Sequence, residues 1–213
     1  MYSYLQLSIL LVTILSGVAT AERWREISGS NKWNGLLDPL DMEVRRTVIR
    51  YGELAQATSD AFIGDSASPF AGSSRYGPSS FFYKVQASNP GAYRVTRFIY
   101  ATSGDRLPGG FMTRPAPEGA WSTESNWMGY VAVATDAGAA ALGRRDIVVA
   151  WRATRRTVEW VSDLDFLLVP AAGVVGPGSG WSQPSVHRGF LSVYMSKNST
   201  SRFNKQSARE QVN

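Results

Sequence analysis

The sequence predicts an α/β fold whose sheet is incomplete, and three observations carry that prediction. First, Val44, Val48, Tyr51, Ala55, Thr58 and Phe62 follow one another at alternating spacings of four and three, which is one face of a helix of period 3.6. Second, residues 94–102 and 129–135 are rich in β-branched and aromatic residues, the composition of strands. Third, Asp146-Ile-Val-Val-Ala-Trp151 is apolar enough to be buried on both faces, as in the middle of a helix-covered sheet. A doubly wound domain needs more strands than these three, so the sequence reads as cut short.

From the N-terminus, Leu5 to Val18 is nearly continuously apolar, Ala19-Thr20-Ala21 is an A-x-A cleavage pattern, and polar sequence starts at Glu22. Residues 1–21 are therefore expected to be a secretory signal peptide, leaving 22–213 as the domain. Met1-Tyr2-Ser3-Tyr4 carries no Lys or Arg, so a membrane anchor and a misplaced start stand as alternatives. The apolar stretch is short for a bilayer span. The expected location is secreted or endomembrane, with cytoplasmic as the alternative if the leader is unused.

Residues 24–34 read as an irregular lead-in with two tryptophans. Asp38-Pro39 has the pattern of an N-cap followed by Pro at the first helical position, and Gly64 ends the helix. Residues 64–80 are rich in Gly, Ser and Pro and predict a loop; residues 103–126 predict a long surface connection. Residues 160–168 are ambiguous. Residues 173–180 read as a flexible loop, and 186–194 start a helix or close a strand. A helix is expected around Ser207-Ala208-Arg209-Glu210, with no C-cap signal after it. No internal repeat is present.

A chain of 213 residues with 44% hydrophobic and 18% charged residues has a globular composition. Its net charge of +5 is dispersed over Arg45, Arg46, Arg144, Arg145, Arg152, Arg155 and Arg156. No aromatic-basic motif organises these charges, so no nucleic-acid partner is expected. Ordinary solubility accounts for them, with attraction to an anionic lipid surface as the alternative. The absence of cysteine excludes disulfides, thiolate metal sites and a Cys nucleophile. His187 is the single histidine, which excludes a two-His metal site within one chain.

A G-x-S-x-G nucleophile elbow is absent: Gly64-Asp65-Ser66-Ala67-Ser68 lacks the last glycine, and Ser179 sits directly between glycines. Without a candidate serine, His187 in Val186-His187-Arg188-Gly189-Phe190 reads as structural. Gly176-Pro177-Gly178-Ser179-Gly180 has no following Lys-Ser/Thr and does not read as a phosphate loop. Asp163 and Asp165 lack a third ligand nearby and read as surface charges, so neither metal nor cofactor is expected. Asn198-Ser199-Thr200 is an N-glycosylation sequon. The third strand runs into a small-residue turn and Thr154, and such a turn presents a backbone N–H and a hydroxyl to a developing oxyanion.

Several stretches now combine: Val149-Ala150-Trp151-Arg152-Ala153-Thr154, Glu159-Trp160, Asp163-Leu164 and Val186-His187-Arg188-Gly189-Phe190. This pattern resembles the class 3 lipases of the α/β-hydrolase superfamily. Trp33-Asn34-Gly35-Leu36-Leu37-Asp38-Pro39-Leu40-Asp41, Tyr51-Gly52-Glu53-Leu54-Ala55-Gln56-Ala57-Thr58 and Glu124-Ser125-Asn126-Trp127-Met128-Gly129-Tyr130-Val131-Ala132-Val133 extend the resemblance to the plant type II phospholipase A1 group. The resemblance runs from about Arg23 to the end. It implies the N-terminal part of an α/β-hydrolase fold and hydrolysis of the sn-1 acyl ester of a phospholipid or galactolipid. It also implies a metal-free Ser-His-Asp triad and peripheral membrane contact. Thr154 falls at the family's oxyanion-hole position, residues 155–160 lead toward its lid, and His187 lies in a motif that does not hold the triad histidine. Two departures stand out. The family's glycine before the oxyanion residue is Ala153 here, a cost if that position needs φ > 0 or a tight backbone approach. The family's Gly-His-Ser-Leu-Gly elbow would fall beyond Asn213, so no triad residue is expected within these residues. The expectation is therefore a family chain shortened by gene-model error, splicing or pseudogenisation and inactive alone. The alternatives are a non-catalytic lipid- or partner-binding fragment and a secreted all-β module.

Overall fold

The structure, a computed structural model, describes residues 23–65, 67–102, 125–153, 167–171, 173–175, 184–201 and 203–213. The expected leader, Ser66, most of the 103–126 connection, Thr154, Asp163, Asp165 and Ser179 lie outside the described residues.

After a helical turn at 23–27, where an irregular lead-in was expected, helix α1 spans Met42–Ala61. Its N-cap is Asp41, not Asp38: Asp41 Oδ1 accepts from the backbone N–H groups of Glu43 at 2.8 Å and Val44 at 3.1 Å. Asp38-Pro39 instead lies in a turn closed by the bridge between Leu37 and Leu40. The Asp-Pro pair is shared by turns and helix starts, and the carboxylate within reach of the free first-turn N–H groups becomes the cap. Those hydrogen bonds, from Val44 first, hold the Asp41 carboxyl below its ordinary range. Arg23 closes an ion pair over it.

The helix buries Val44, Leu54, Ala57, Thr58 and Ala61. This face is rotated from the expected stripe: Val48 is 66% exposed, and Ala55 is exposed too. Ala57 and Ala61 are small enough to let the helix lie close to the sheet, whereas periodicity alone ranks the larger Val48 above them.

The sheet has the order β1-β2-β3, from Tyr93–Ala101, Asn126–Ala134 and Ile147–Trp151. Both pairings are antiparallel, with Tyr93 opposite Ala134 and Gly129 opposite Trp151. The central strand β2 is the one buried on both faces. On one side lie α1 and the short helix α2 (Phe81–Lys84); Phe81 packs 4.9 Å from Tyr130 and 6.0 Å from Trp127, centroid to centroid. On the other side Ile99, Ala101 and Met128 meet Val193 and Ala208. The expectation of two buried faces for 146–151 is corrected: Ile147 is 70% and Trp151 41% exposed. A short apolar run does not say which strand is central, because neighbours distant in sequence settle that.

Gly129 shows why β2 and β3 lie so close. Its φ is +148°, and a Cβ there would sit 1.9 Å from the Ala150 carbonyl oxygen. After β2, Thr135 caps α3 (Asp136–Leu142), accepting from Gly138 N–H at 3.0 Å.

The 186–194 segment does both things the sequence allowed. Ser185–His187 is strand β5, paired antiparallel with β4 (Leu168–Pro170), and Arg188–Met195 is helix α4. The expected tail helix is α5 (Ala208–Val212), with a Ser207/Glu210 capping box. It carries Gln211 to the edge of β1, where the side-chain amide meets the backbone of Tyr100. The chain is thus a mixed helix-and-sheet structure, in line with the expected class at that level, with antiparallel pairing throughout the described strands. No helix among the described residues is long and apolar enough to cross a membrane.

Candidate functional site

Strand β3 is fastened at both ends. At its start, Asp146 Oδ2 accepts from the hydroxyls of Tyr51 at 2.8 Å and Tyr93 at 2.6 Å. Arg144 donates to the Tyr51 hydroxyl at 2.9 Å, and its guanidinium lies 3.4 Å from the centroid of the Trp24 ring. Burial first, and then hydrogen bonding to Asp146, raises both tyrosines above their ordinary pKa. Sequence reasoning missed this cluster; its members are scattered from Trp24 to Asp146 and form no linear motif.

At the exit of β3, Arg152 N–H donates to the Met128 carbonyl at 2.7 Å, continuing the ladder one residue past the strand. Its Nε donates to the Trp127 carbonyl at 3.2 Å, and its guanidinium lies 3.8 Å from the centroid of the Phe62 ring. One side chain thus ties the strand exit to β2 and to the C-cap of α1. Ala153 follows, exposed. Among the described residues, positive φ outside glycine is confined to Lys32, Trp33 and Gln86. Ala153 is therefore not held at positive φ. Thr154, the expected oxyanion residue, is the next residue and lies outside the described set.

Beside this exit lies an apolar cavity of about 710 Å³. The sheet supplies Met128, Val149, Trp151 and Arg152; α4 supplies Phe190, Leu191, Val193 and Tyr194; Ala171, Val174 and Val175 and residues 184–186 complete the wall with Val212. Trp151 and Tyr194 meet edge to face at 6.0 Å. The volume suits a small-molecule or acyl-chain ligand, and Arg152 is its charged wall residue.

His187 has the structural place expected of it. It is the N-cap of α4, with Nδ1 accepting from Gly189 N–H at 3.1 Å. Asn198 lies on the turn after α4, and its Oδ1 accepts from Thr200 N–H at 3.0 Å and the Thr200 hydroxyl at 2.7 Å. The described residues include no group of three or more His, Cys, Asp or Glu placed to hold a metal.

No family model matches the chain. Individual proteins match it closely. It is 69% identical over 216 aligned residues, 100% of this chain, to Phospholipase A1-II 3 of Oryza sativa subsp. japonica, covering 51% of that protein. Phospholipase A1-II 4 of the same subspecies is 58% identical over 91% of this chain and 48% of its own length. Phospholipase A1-II 2 of Oryza sativa subsp. indica is 56% identical over 90% of this chain. The chain spans about half the length of the curated relatives it matches.

Proposed function

We infer that this chain is part of a phospholipase A1-II family member, because it is 69% identical along its entire length to one such protein. It supplies the oxyanion side and part of the acyl-chain cavity of an enzyme of the α/β-hydrolase, class 3 lipase type that cleaves the sn-1 acyl ester of a phospholipid. The observation that carries this is the 69% identity along the entire chain. The cavity of about 710 Å³ at the β3 exit supports it, because an acyl chain needs an apolar receptor next to the reacting carbonyl.

The chemistry is acyl transfer to a serine, followed by hydrolysis. As the nucleophile attacks, the ester carbonyl becomes an oxyanion. The backbone N–H and hydroxyl of Thr154 donate to it, and the Arg152 anchors keep the strand leading to Thr154 from shifting when that charge develops. The 213 residues contain no G-x-S-x-G motif, so they are not expected to hydrolyse esters as an isolated polypeptide. Substrate is reached by peripheral contact with a lipid surface, and a galactolipid is the alternative substrate. The apolar leader points to a secretory route.

The test joins these 213 residues in frame to the half of japonica Phospholipase A1-II 3 that they do not match. The chimaera should release fatty acid from the sn-1 position of phosphatidylcholine, whereas the isolated chain should not. Thr154→Ala in the chimaera should lower kcat on the order of 10²-fold, the scale for losing one oxyanion donor. A folded chimaera without esterase activity, or a Thr154→Ala chimaera with unchanged kcat, would overturn the reading.

A further inference from the structure

We propose that Asn198 is an N-glycan acceptor of this protein. Asn198-Ser199-Thr200 is the single Asn-x-Ser/Thr triplet in the sequence, and proline occupies neither position 199 nor position 201. The fold keeps this triplet at the surface. Helix α4 ends at Met195, and the chain then turns through residues 198–201, closed by Ser201 N–H donating to the Asn198 carbonyl at 3.1 Å. Ser199 and Thr200 are both exposed.

The turn is anchored from below. Asn198 N–H donates to the Asn204 carbonyl at 3.0 Å, and Asn204 is fully buried, its Oδ1 accepting from Ser125 at 3.1 Å. Asn198 itself is half-buried, while its two sequon partners are exposed, so the acceptor stands on a surface turn rather than in the core, where Asn126 and Asn204 lie. A glycan on Asn198 would project from the loop and leave both core clusters undisturbed.

The Thr200 hydroxyl donates to Asn198 Oδ1 at 2.7 Å, so the two groups that define the acceptor triplet already lie together. The reaction is a group transfer from a polyprenyl-pyrophosphate-linked oligosaccharide. The bond from Asn198 Nδ2 to the sugar C1 forms, the bond from C1 to the phosphate oxygen breaks, and the polyprenyl pyrophosphate leaves with the electron pair. The Nδ2 proton passes to a base of the transferase, and no oxidation state changes.

The test is translation of the full chain behind a strong secretory leader in the presence of microsomes, scoring only protease-protected product. The expected result is a single mass increase of one core glycan that peptide-N-glycosidase removes. Asn198→Gln and Thr200→Ala should abolish it, and Thr200→Ser should retain it at lower occupancy. Protected but unmodified wild-type chain, or a glycan that survives Asn198→Gln, would overturn the proposal. Because the readout is mass rather than hydrolysis, its outcome is independent of the phospholipase reading.

Discussion

The side-chain amide of Gln211 pairs with both backbone polar groups of Tyr100: Tyr100 N–H donates to Gln211 Oε1 at 2.9 Å, and Gln211 Nε2 donates to the Tyr100 carbonyl at 2.8 Å. One side chain therefore does at the edge of β1 what the next strand of a sheet would do. Arg97 adds to the same junction, donating to the Gln211 carbonyl at 3.1 Å. Edge strands invite intermolecular pairing unless their free backbone groups are covered.

Gln211→Ala should cost about 1–3 kcal/mol, because it removes the buried Gln211 amide and its two hydrogen bonds to the half-buried Tyr100 backbone. Urea unfolding would measure the loss. Light scattering of the variant should rise as the uncovered edge recruits other chains.

Arg152→Met keeps an unbranched apolar stem and removes the guanidinium with its charge. It should destabilise the chain by about 1–3 kcal/mol, from the lost stacking on Phe62 and the lost hydrogen bond to the Trp127 carbonyl. In the chimaera, kcat should fall more than KM rises, because the strand that leads to Thr154 is no longer held. A variant with unchanged stability and unchanged kcat would remove Arg152 from this role.

Gly129→Ala should be among the most damaging single-methyl additions, since the new carbon would meet the Ala150 carbonyl oxygen at 1.9 Å with φ at +148°. Separating β2 from β3 to relieve that overlap should cost roughly 2–4 kcal/mol. Thermal unfolding followed by near-UV circular dichroism tests it, with Gly52→Ala as the control in open space on α1.

Stability should fall as pH rises above about 10, the ordinary tyrosine value. Tyr51, Tyr93 and Tyr130 all have folded pKa values raised by burial, the first two also by Asp146. A raised folded pKa means that the unfolded chain loses its phenolic protons first. The contribution is thus complete below the unfolded value and is lost as pH climbs toward the folded one. Denaturation midpoints between neutral pH and alkaline pH should decline, and Tyr93→Phe should flatten the decline.

Leu191→Trp should fill part of the cavity and weaken binding of a fluorescent fatty acid by roughly tenfold, about 1.4 kcal/mol. A titration with unchanged affinity would show that acyl chains bind elsewhere.

Local order in the chain announces local structure. The period of 3.6 pointed to the helix before Gly64 though not to its start at Met42, the tail composition pointed to a helix near Ser207, and the β-branched and apolar runs located β1, β2 and β3. The motifs around residues 33–41, 51–58, 124–133 and 149–190 pointed to the phospholipase A1-II family, because a motif is itself a linear object. Periodicity did not say which helical face is buried: Ala55 and Ala57 are equivalent by hydrophobicity, and Ala57 is the one that meets the sheet.

Residue order along the chain was thus enough to identify the kinds of elements, the resemblance to the plant type II phospholipase A1 group, and Thr154 and Asn198 as candidate positions. Folding in three dimensions settled that β2 is the central strand, that the pairing is antiparallel and that Ala153 avoids a strained φ. It also settled that Asp146 is held by tyrosines 53 and 95 positions away and Tyr100 by a glutamine 111 positions away. The physical reason is range. Propensity and capping act within a few residues, where the chain dictates the geometry. A hydrogen bond across a hundred residues exists when packing has brought its two partners within three ångströms, and no short window of sequence contains both of them.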